Sequence, residues 1–358
     1  MSGRIRNRSP SSGTGTVEPD LAWCHAIVGE VSRTFAITID VLDEPMSSYI
    51  CVGYLLCRIA DTIEDARHIP PEDQSRLLRR YDALLESDDT ASIDRFMTAV
   101  DPWIPDDDDQ SADWAVVTAT PRVIRTFRSQ PTPVREAIRP PVRELVQGMA
   151  LFVDRYADEG GLRIQTSDEL EEYCYYAAGT VGKLITNLIC RDGVTPETRR
   201  RLDGSAESFG LLLQLVNIAK DVYVDYRIEN NVYLPAKWLR AEGISHESIT
   251  DADAADRVAS VIKRTSEFAR DHLDDAQRYL EAVPEHDGNR VEAWAIPFFL
   301  AIGTLRELRR RPEDAISLEG IKVSRSEVYA IITAARDVSE RESIGKLRHQ
   351  IATAPYHQ

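Results

Sequence analysis

Two short stretches of this sequence gather oxygen-bearing side chains at helical spacing. Between Tyr54 and Asp65, the acids Asp61, Glu64 and Asp65 fall at i, i+3 and i+4, so a helix sets all three carboxylates on one face. Between Gln214 and Asp225, the residues Asn217, Asp221 and Asp225 recur every fourth position. Each step turns about 40° around a helix and climbs about 6 Å, which makes a single oxygen stripe. Both stripes emerge from apolar sequence. Acids packed this closely repel unless a cation joins them, and hard oxygen donors without interleaved His or Cys favour Mg²⁺ over zinc or copper. One acidic stripe alone is ordinarily a solvated helix face. Two that meet across a bundle would hold several Mg²⁺ ions, and these would bind a diphosphate and promote its departure by neutralising the leaving charge. No G-x-x-x-x-G-K-[ST] loop occurs, so metal and arginine, rather than a P-loop, would hold the phosphate.

Basic residues stand close to both stripes. Arg58 lies one turn before Asp61, Arg33 sits in an apolar segment, and Lys220 precedes Asp221. Each suits a salt bridge to a nearby acid, and each equally suits phosphate, which a guanidinium fork grips and an ammonium attracts as a point charge. Tyr54, Tyr173 and Tyr176 read first as core aromatics. None of the seven His lies at metal-ligand spacing, so no zinc site is expected. The five cysteines, Cys24, Cys51, Cys57, Cys174 and Cys190, form no C-x-x-C pair and read as free thiols of a reducing cytoplasm.

The elements that must carry these residues are helices. Helix-period segments follow one another with no run of alternating β-branched residues, so the chain reads as all-α. Helices are expected near 19–39, 45–66, 71–86, 112–128, 141–157, 167–191, 196–226, 254–282, 289–310 and 324–341. Pro45, Pro71 and Pro141 suit first turns, and Thr166 to Glu169 offers a capping hydroxyl and early acids. The Pro- and Asp-rich stretch from Asp101 to Asp109 is the best internal break, but motifs lie on both sides of it. A single domain over 19–345 is therefore expected, between a disordered tail at 1–18 and a polar tail at 346–358. No apolar run approaches the roughly 18 residues that cross a bilayer. The net charge is -16, from 43 basic and 59 acidic residues, which argues against nucleic-acid partners and anionic membrane surfaces. Lys supplies only six of the 43 basic residues. An acid-rich, lysine-poor chain suits high salt and a halophilic archaeal source; high-GC codon usage in an acidic mesophilic protein is the alternative.

With these residues in place, the chain resembles the head-to-head prenyl synthases, the family of squalene and phytoene synthases. The resemblance runs from about Ser32 to Val328. Ser32-Arg33-Thr34-Phe35 resembles the family's opening S-R-x-F, and Asp61 to Asp65 its first D-x-x-E-D. Tyr173 to Gly182 is similar to Y-C-x-Y-x-A-G-x-V-G, and Gln214 to Asp225 to Q-x-x-N-I-x-[RK]-D-x-x-x-D. The resemblance implies an all-α isoprenoid synthase-type helical bundle with a central cavity. It implies Mg²⁺ on Asp61, Glu64, Asp65, Asn217, Asp221 and Asp225, of which the four aspartates are also catalytic together with Tyr54 and Tyr173. Substrate contacts fall to Ser32, Arg33, Phe35, Arg58, Tyr176, Gln214, Asn217 and Lys220. Tyr173 and Tyr176 are expected on one helix face, over the reacting carbons rather than over the metals.

Within the family, Gly148-Met149-Ala150, the segment Ala295 to Leu305 and Ile321-Lys322-Val323 look like squalene synthases. That subfamily's V-K-I-R segment is associated with nicotinamide; here Ser324 stands at the Arg position and Arg325 one residue on. Asn230 to Pro235, by contrast, resembles the phytoene-type R-x-Y-L-P. The resemblance thus implies condensation of two farnesyl diphosphates to presqualene diphosphate and NADPH-dependent reduction to squalene, with NADPH beside Arg33, Arg58, Lys322 and Arg325. Phytoene or dehydrosqualene synthesis without reductant is the alternative, and a noncatalytic isoprenoid-diphosphate binder or scaffold is the alternative of another class. The expected partners are isoprenoid diphosphates, with transient membrane contact for product release and no transmembrane anchor. The protein would act as a cytoplasmic monomer or dimer.

Overall fold

The computed structural model describes residues 17–106, 111–338 and 341–357. Its elements are α1 (Val17–Val31), α2 (Arg33–Val41), α3 (Met46–Glu64), α4 (Pro71–Glu86), α5 (Ala91–Val100), α6 (Ala112–Thr118), α7 (Thr120–Ser129) and α8 (Thr132–Arg155). The second half holds α9 (Ser167–Cys174), α10 (Thr180–Cys190), α11 (Pro196–Asp203), α12 (Ala206–Lys220), α13 (Val222–Arg227), α14 (Ala236–Ala241), α15 (Ala255–Arg270), α16 (Leu273–Ala282), α17 (Val291–Arg310), α18 (Arg325–Arg336) and α19 (Arg341–Thr353). Among the described residues no strand forms, and the sole extended pairing is an isolated bridge between Arg163 and Val232. The fold is all-α. No described helix is long and apolar enough to cross a membrane.

Local chemistry explains where several helices begin and end. Ser32 stops one long helix and caps the next, its hydroxyl accepting from Phe35 N at 3.2 Å, so the expected helix 19–39 is two, α1 and α2. Thr166 caps α9 the same way through Glu169 N. Ser324 caps α18 through Glu327 N, which gives the residue at the family's Arg position a job in this chain. Two expectations about proline differ in outcome. Pro71 opens α4, whereas Pro141 does not open a helix: α8 starts at Thr132 and runs through both Pro140 and Pro141. Pro141 has no N–H for the carbonyl of Ala137, and the Asn187 side-chain amide reaches that carbonyl instead, at 3.4 Å.

The expected helix 196–226 is three helices, broken near Gly204 and again at Asp221, and 254–282 is broken near Asp271. α5 and α14 were not expected. The expected polar tail 346–358 is a correction, because α19 occupies most of it and buries Ile344, Leu347 and Ile351 against α17. Of the expected tail 1–18, residues 1–16 lie outside the described residues, as do 107–110 of the acidic linker.

The bundle closes around α3, most of whose side chains are buried. α2, α3, α8, α10, α12 and α17 line a central cavity. Between α9 and α10 the backbone widens into one π-turn, Tyr175–Gly179. α12 then packs so closely on α10 and on the π-turn that a Cβ at Gly182 would lie 2.1 Å from Ala206 O, and one at Gly210 2.1 Å from Ala178 O. Only glycine permits that approach.

Candidate active site

α3 delivers Asp61 and Glu64 in its last turn, and Asp65 caps its C-terminal end. α12 delivers Asn217 and ends at Asp221, and α13 carries Asp225. The regular helix breaks at Asp221, yet the stripe survives. Asp221 N still donates to Asn217 O at 3.0 Å and Asp225 N to Asp221 O at 2.9 Å. The two stripes meet. Asp61 and Asp65 on one side and Asn217, Asp221 and Asp225 on the other line a single cavity of about 90 Å³, joined by Glu229 one turn farther on. Through Asp61, Gln214, Asn217 and Asp221 it is continuous with the central cavity of about 700 Å³. The walls of that larger space are mostly apolar and include Phe35, Met149 and Leu213.

The small cavity carries unbalanced charge. Arg58 bonds Asp61 and also donates from Nε to Asp113 at 2.8 Å, and Lys220 bonds Asp221. Among the described residues Asp65, Asp225 and Glu229 have no ion-pair partner, nor has Glu64, which stands off this wall and lines a neighbouring cavity with Asp65 and Glu229; Glu64 Oε1 is buried without a hydrogen bond. Enclosure, and then the neighbouring Asp61 and Glu229 charges, hold the Asp65 carboxyl well above the usual carboxylate range. Enclosure followed by Glu229 and Asp221 does the same to Asp225. Burial and then Asp61 push Glu64 up to about 8 and Glu229 up to about 7. Each of these shifts reports a carboxylate short of positive charge. Among the described residues no three acid, His or Cys side chains already form a cage for one ion. A divalent cation held here would therefore complete its shell with water or ligand oxygens, as Mg²⁺ commonly does.

Residues 28–327 match the sequence profile of the squalene/phytoene synthase family. The chain belongs to that family. Squalene synthase of Homo sapiens is 24% identical over 363 residues, covering 99% of this chain and 78% of the human protein. A protein of Arabidopsis thaliana named inactive squalene synthase 2 is 25% identical over 297 residues, covering 81% of this chain. The chain spans 65% of the length of that relative. A solved complex of TcSQS with a ligand superposes with a TM-score of 0.78 at 23% identity, covering 95% of this chain and 93% of that one, so the isoprenoid synthase bundle is shared.

Against the family's frame, the remaining expected residues divide. Ser32, Phe35, Tyr54, Arg58, Gln214, Asn217 and Lys220 line the central cavity, with Phe35 and Tyr54 stacked at 4.2 Å. Lys322 is exposed at the mouth of the same cavity. Arg33 and Arg325 are exposed and lie off its wall; each is the first residue of a helix and follows the serine that caps it. Of the set expected around NADPH, only Arg58 and Lys322 face the cavity. Tyr173 is not over the apolar space. Its hydroxyl lies 3.4 Å from Glu64 Oε2 and 3.1 Å from the Tyr233 hydroxyl, on the wall of the acid cavity. Tyr176 lines neither cavity; the π-turn leaves its ring over Gly148 and near Phe152. Sequence reasoning missed Glu229, Asn231 and Tyr233. Glu229 had a signal, since it continues the every-fourth-residue series past Asp225.

Proposed function

We propose that the chain condenses two farnesyl diphosphates head to head to presqualene diphosphate and reduces that product to squalene. The observation that carries the reading is the union of the acid cavity with a larger apolar one: charge at one end suits a diphosphate, and the rest suits its prenyl chain. The donor set fits Mg²⁺, which Asp61, Glu64, Asp65, Asn217, Asp221 and Asp225 would hold and which would neutralise the departing diphosphate. Arg58 and Lys220, each already beside a stripe acid, offer donors to the diphosphate oxygens. In the first step the C–O bond to one diphosphate breaks, the alkene of the second molecule forms the new C–C bond, and loss of a proton closes the cyclopropane. Phe35, Met149 and Leu213 keep water from the cation, and the stacked Phe35 and Tyr54 rings offer it their faces.

NADPH fits less well. The four residues expected around it do not converge, and no step is derived through it. That favours a second reading, synthesis of phytoene or dehydrosqualene without reductant, which the Tyr233-Leu234-Pro235 segment also supports. The test is purified protein with farnesyl diphosphate and Mg²⁺, with and without NADPH, and products identified by mass spectrometry. Squalene only with NADPH supports the first reading, and an unchanged product supports the second. No metal-dependent diphosphate release would leave a noncatalytic binder. Under the first reading, Lys322→Ala should keep diphosphate release within about twofold while shifting product from squalene toward presqualene diphosphate, because a residue that acts in one step leaves the other unaffected.

A further inference from the structure

The acid cavity ends in a buried hydrogen-bonded chain. Tyr173, Tyr233 and Asn231 are 4%, 6% and 3% exposed. Tyr173 OH lies 3.4 Å from Glu64 Oε2, Tyr233 OH 3.1 Å from Tyr173 OH, and Asn231 Nδ2 3.3 Å from Tyr233 OH. The two phenol rings lie 4.8 Å apart, and Phe152 meets the Tyr173 ring edge-on at 5.2 Å.

The direction of the hydrogens in this chain is set from its far end. The backbone N–H of Leu162 donates to Asn231 Oδ1 at 2.9 Å, and a backbone N–H has no other role. That contact fixes the amide's orientation, so its nitrogen faces Tyr233. An amide nitrogen only donates, which makes the Tyr233 oxygen an acceptor and sends the Tyr233 hydrogen to Tyr173. The opposite direction would strip the buried Glu64 carboxylate of the Tyr173 donor when its Oε1 already has none, and an unmet buried group is costly. Tyr173, already accepting, must therefore point its own hydrogen toward Glu64, from a place on the wall of the acid cavity. At 3.4 Å that last contact is long for a hydroxyl, so the hydrogen remains available to a better-placed acceptor.

The backbone that carries Asn231 is tied on both sides. Asn231 N donates to Asp225 O at 2.7 Å, and Val232 N donates to Leu162 O at 2.8 Å. Asn230 occupies the left-handed region at φ 58, and the Arg163 guanidinium donates to its carbonyl and side-chain oxygens. The amide is thus presented by a braced strap rather than a free loop.

We infer that Asn231 and Tyr233 are positioning residues that fix the polarity of this chain, so that Tyr173 serves as a hydrogen-bond donor to an oxygen of the bound diphosphate and not as a proton acceptor. The inference rests on the reading that the acid cavity takes a diphosphate. A donor held in advance at that point strengthens as negative charge moves onto the leaving group, and the paired phenols need no reorganisation to supply it.

The test is a double-mutant cycle. Tyr233→Phe keeps the ring and its stacking and removes only the hydroxyl. With farnesyl diphosphate and Mg²⁺, Tyr233→Phe and Tyr173→Phe should each lower kcat for diphosphate release by about tenfold or more with KM within about twofold, the size expected for a preorganised donor to a developing anion. The double variant should be no slower than Tyr173→Phe alone, because Tyr233 acts only through Tyr173. Losses that add, or an unchanged Tyr233→Phe, overturn the inference. A second measurement does not need turnover: calorimetric binding of inorganic diphosphate with Mg²⁺ should weaken about tenfold or more in either single variant and no further in the double, as for one hydrogen bond to a charged group. Asn231→Asp, whose carboxylate accepts from Leu162 and Tyr233 alike, should weaken it as much as Tyr173→Phe; wild-type affinity there also overturns the inference. A wild type that binds diphosphate in this pattern but releases none from farnesyl diphosphate breaks the proposed reaction and leaves this inference standing.

Discussion

Arg306 and the acid cavity both enclose charge, in opposite ways. The Arg306 side chain is 1% exposed, and it donates to Glu307 at 2.8 Å, to both oxygens of Glu327 at 2.7 and 2.8 Å, and to the carbonyls of Ile351 and Ala354 at 2.9 Å. Glu327 also accepts from Tyr356 N at 2.7 Å. The cluster therefore ties α17, α18 and the end of α19 into one corner. Burial alone would raise the Glu307 carboxyl, yet hydrogen bonds and charge from Arg306 and Arg311 hold it below the usual range. Asp65, Asp225 and Glu229 line one cavity with no ion pair to any described residue, and all three are pushed up. Charge that only holds the fold is balanced within the chain, because a buried unpaired ion is destabilising. Charge left unbalanced is kept for something the chain itself does not supply, and such perturbed groups cluster at functional sites.

The comparison breaks most sharply at the acids. Asp61→Asn and Asp221→Asn should each reduce metal-dependent diphosphate release by at least about 100-fold, since each removes a charge from where the leaving anion must be neutralised. Asp225→Asn should do the same, and with no ion pair to abandon it should leave the metal-free melting temperature level or raised. Near-normal turnover in all three would remove the acid cavity from the chemistry.

Arg306→Gln should reverse that pattern. It leaves the buried Glu327 carboxylate without its ion pair and Glu307 with only Arg310 and Arg311, and should lower unfolding stability by about 3–5 kcal/mol, read by denaturant titration, while kcat per folded molecule stays within about twofold. A stability loss below about 1 kcal/mol, or a selective loss of turnover, would mean that the two clusters do not divide their roles in this way.

The sequence showed those two clusters unequally. Asp61, Asp65, Asn217, Asp221 and Asp225 were legible because helical spacing alone puts their oxygens on one face, and that spacing survives the break at Asp221. Glu229 was not singled out, because it follows the end of α13 and only the continued backbone turn brings it back to the stripe. Arg306 gave no signal, since its partners Glu327, Ile351 and Ala354 are 21 to 48 residues away. α19 was hidden because three buried side chains in a polar stretch are a weak period. Tyr173 was legible as a residue but not in its place: a Tyr-x-x-Tyr spacing predicts a shared face only where the helix keeps its 3.6-residue turn, and the π-turn at Tyr175 diverts Tyr176 from the cavity wall.

The smallest expected effect tests whether the acid cavity's imbalance is real. Glu64 and Glu229 are raised to about 8 and about 7, so the folded protein binds their protons more tightly than the unfolded chain does. Their contribution to stability is fully present below the ordinary glutamate pKa of about 4.3 and is lost as pH rises through 7 to 8. Glu169 and Glu307, which are lowered, act with the opposite sign, but only in the acid range. His246 and His272 are lowered as well and are neutral in both states by the upper end of this window. Between pH 6.5 and 8.5 the metal-free melting temperature should therefore fall by a few degrees, and Glu229→Gln should flatten that slope. Mg²⁺ favours the ionised carboxylates and releases their protons, so the rise in melting temperature that it produces should be larger at pH 8.5 than at 6.5. A Mg²⁺ effect independent of pH, together with an unchanged slope in Glu229→Gln, would show that these carboxylates are balanced in solution and would erase the contrast with Arg306.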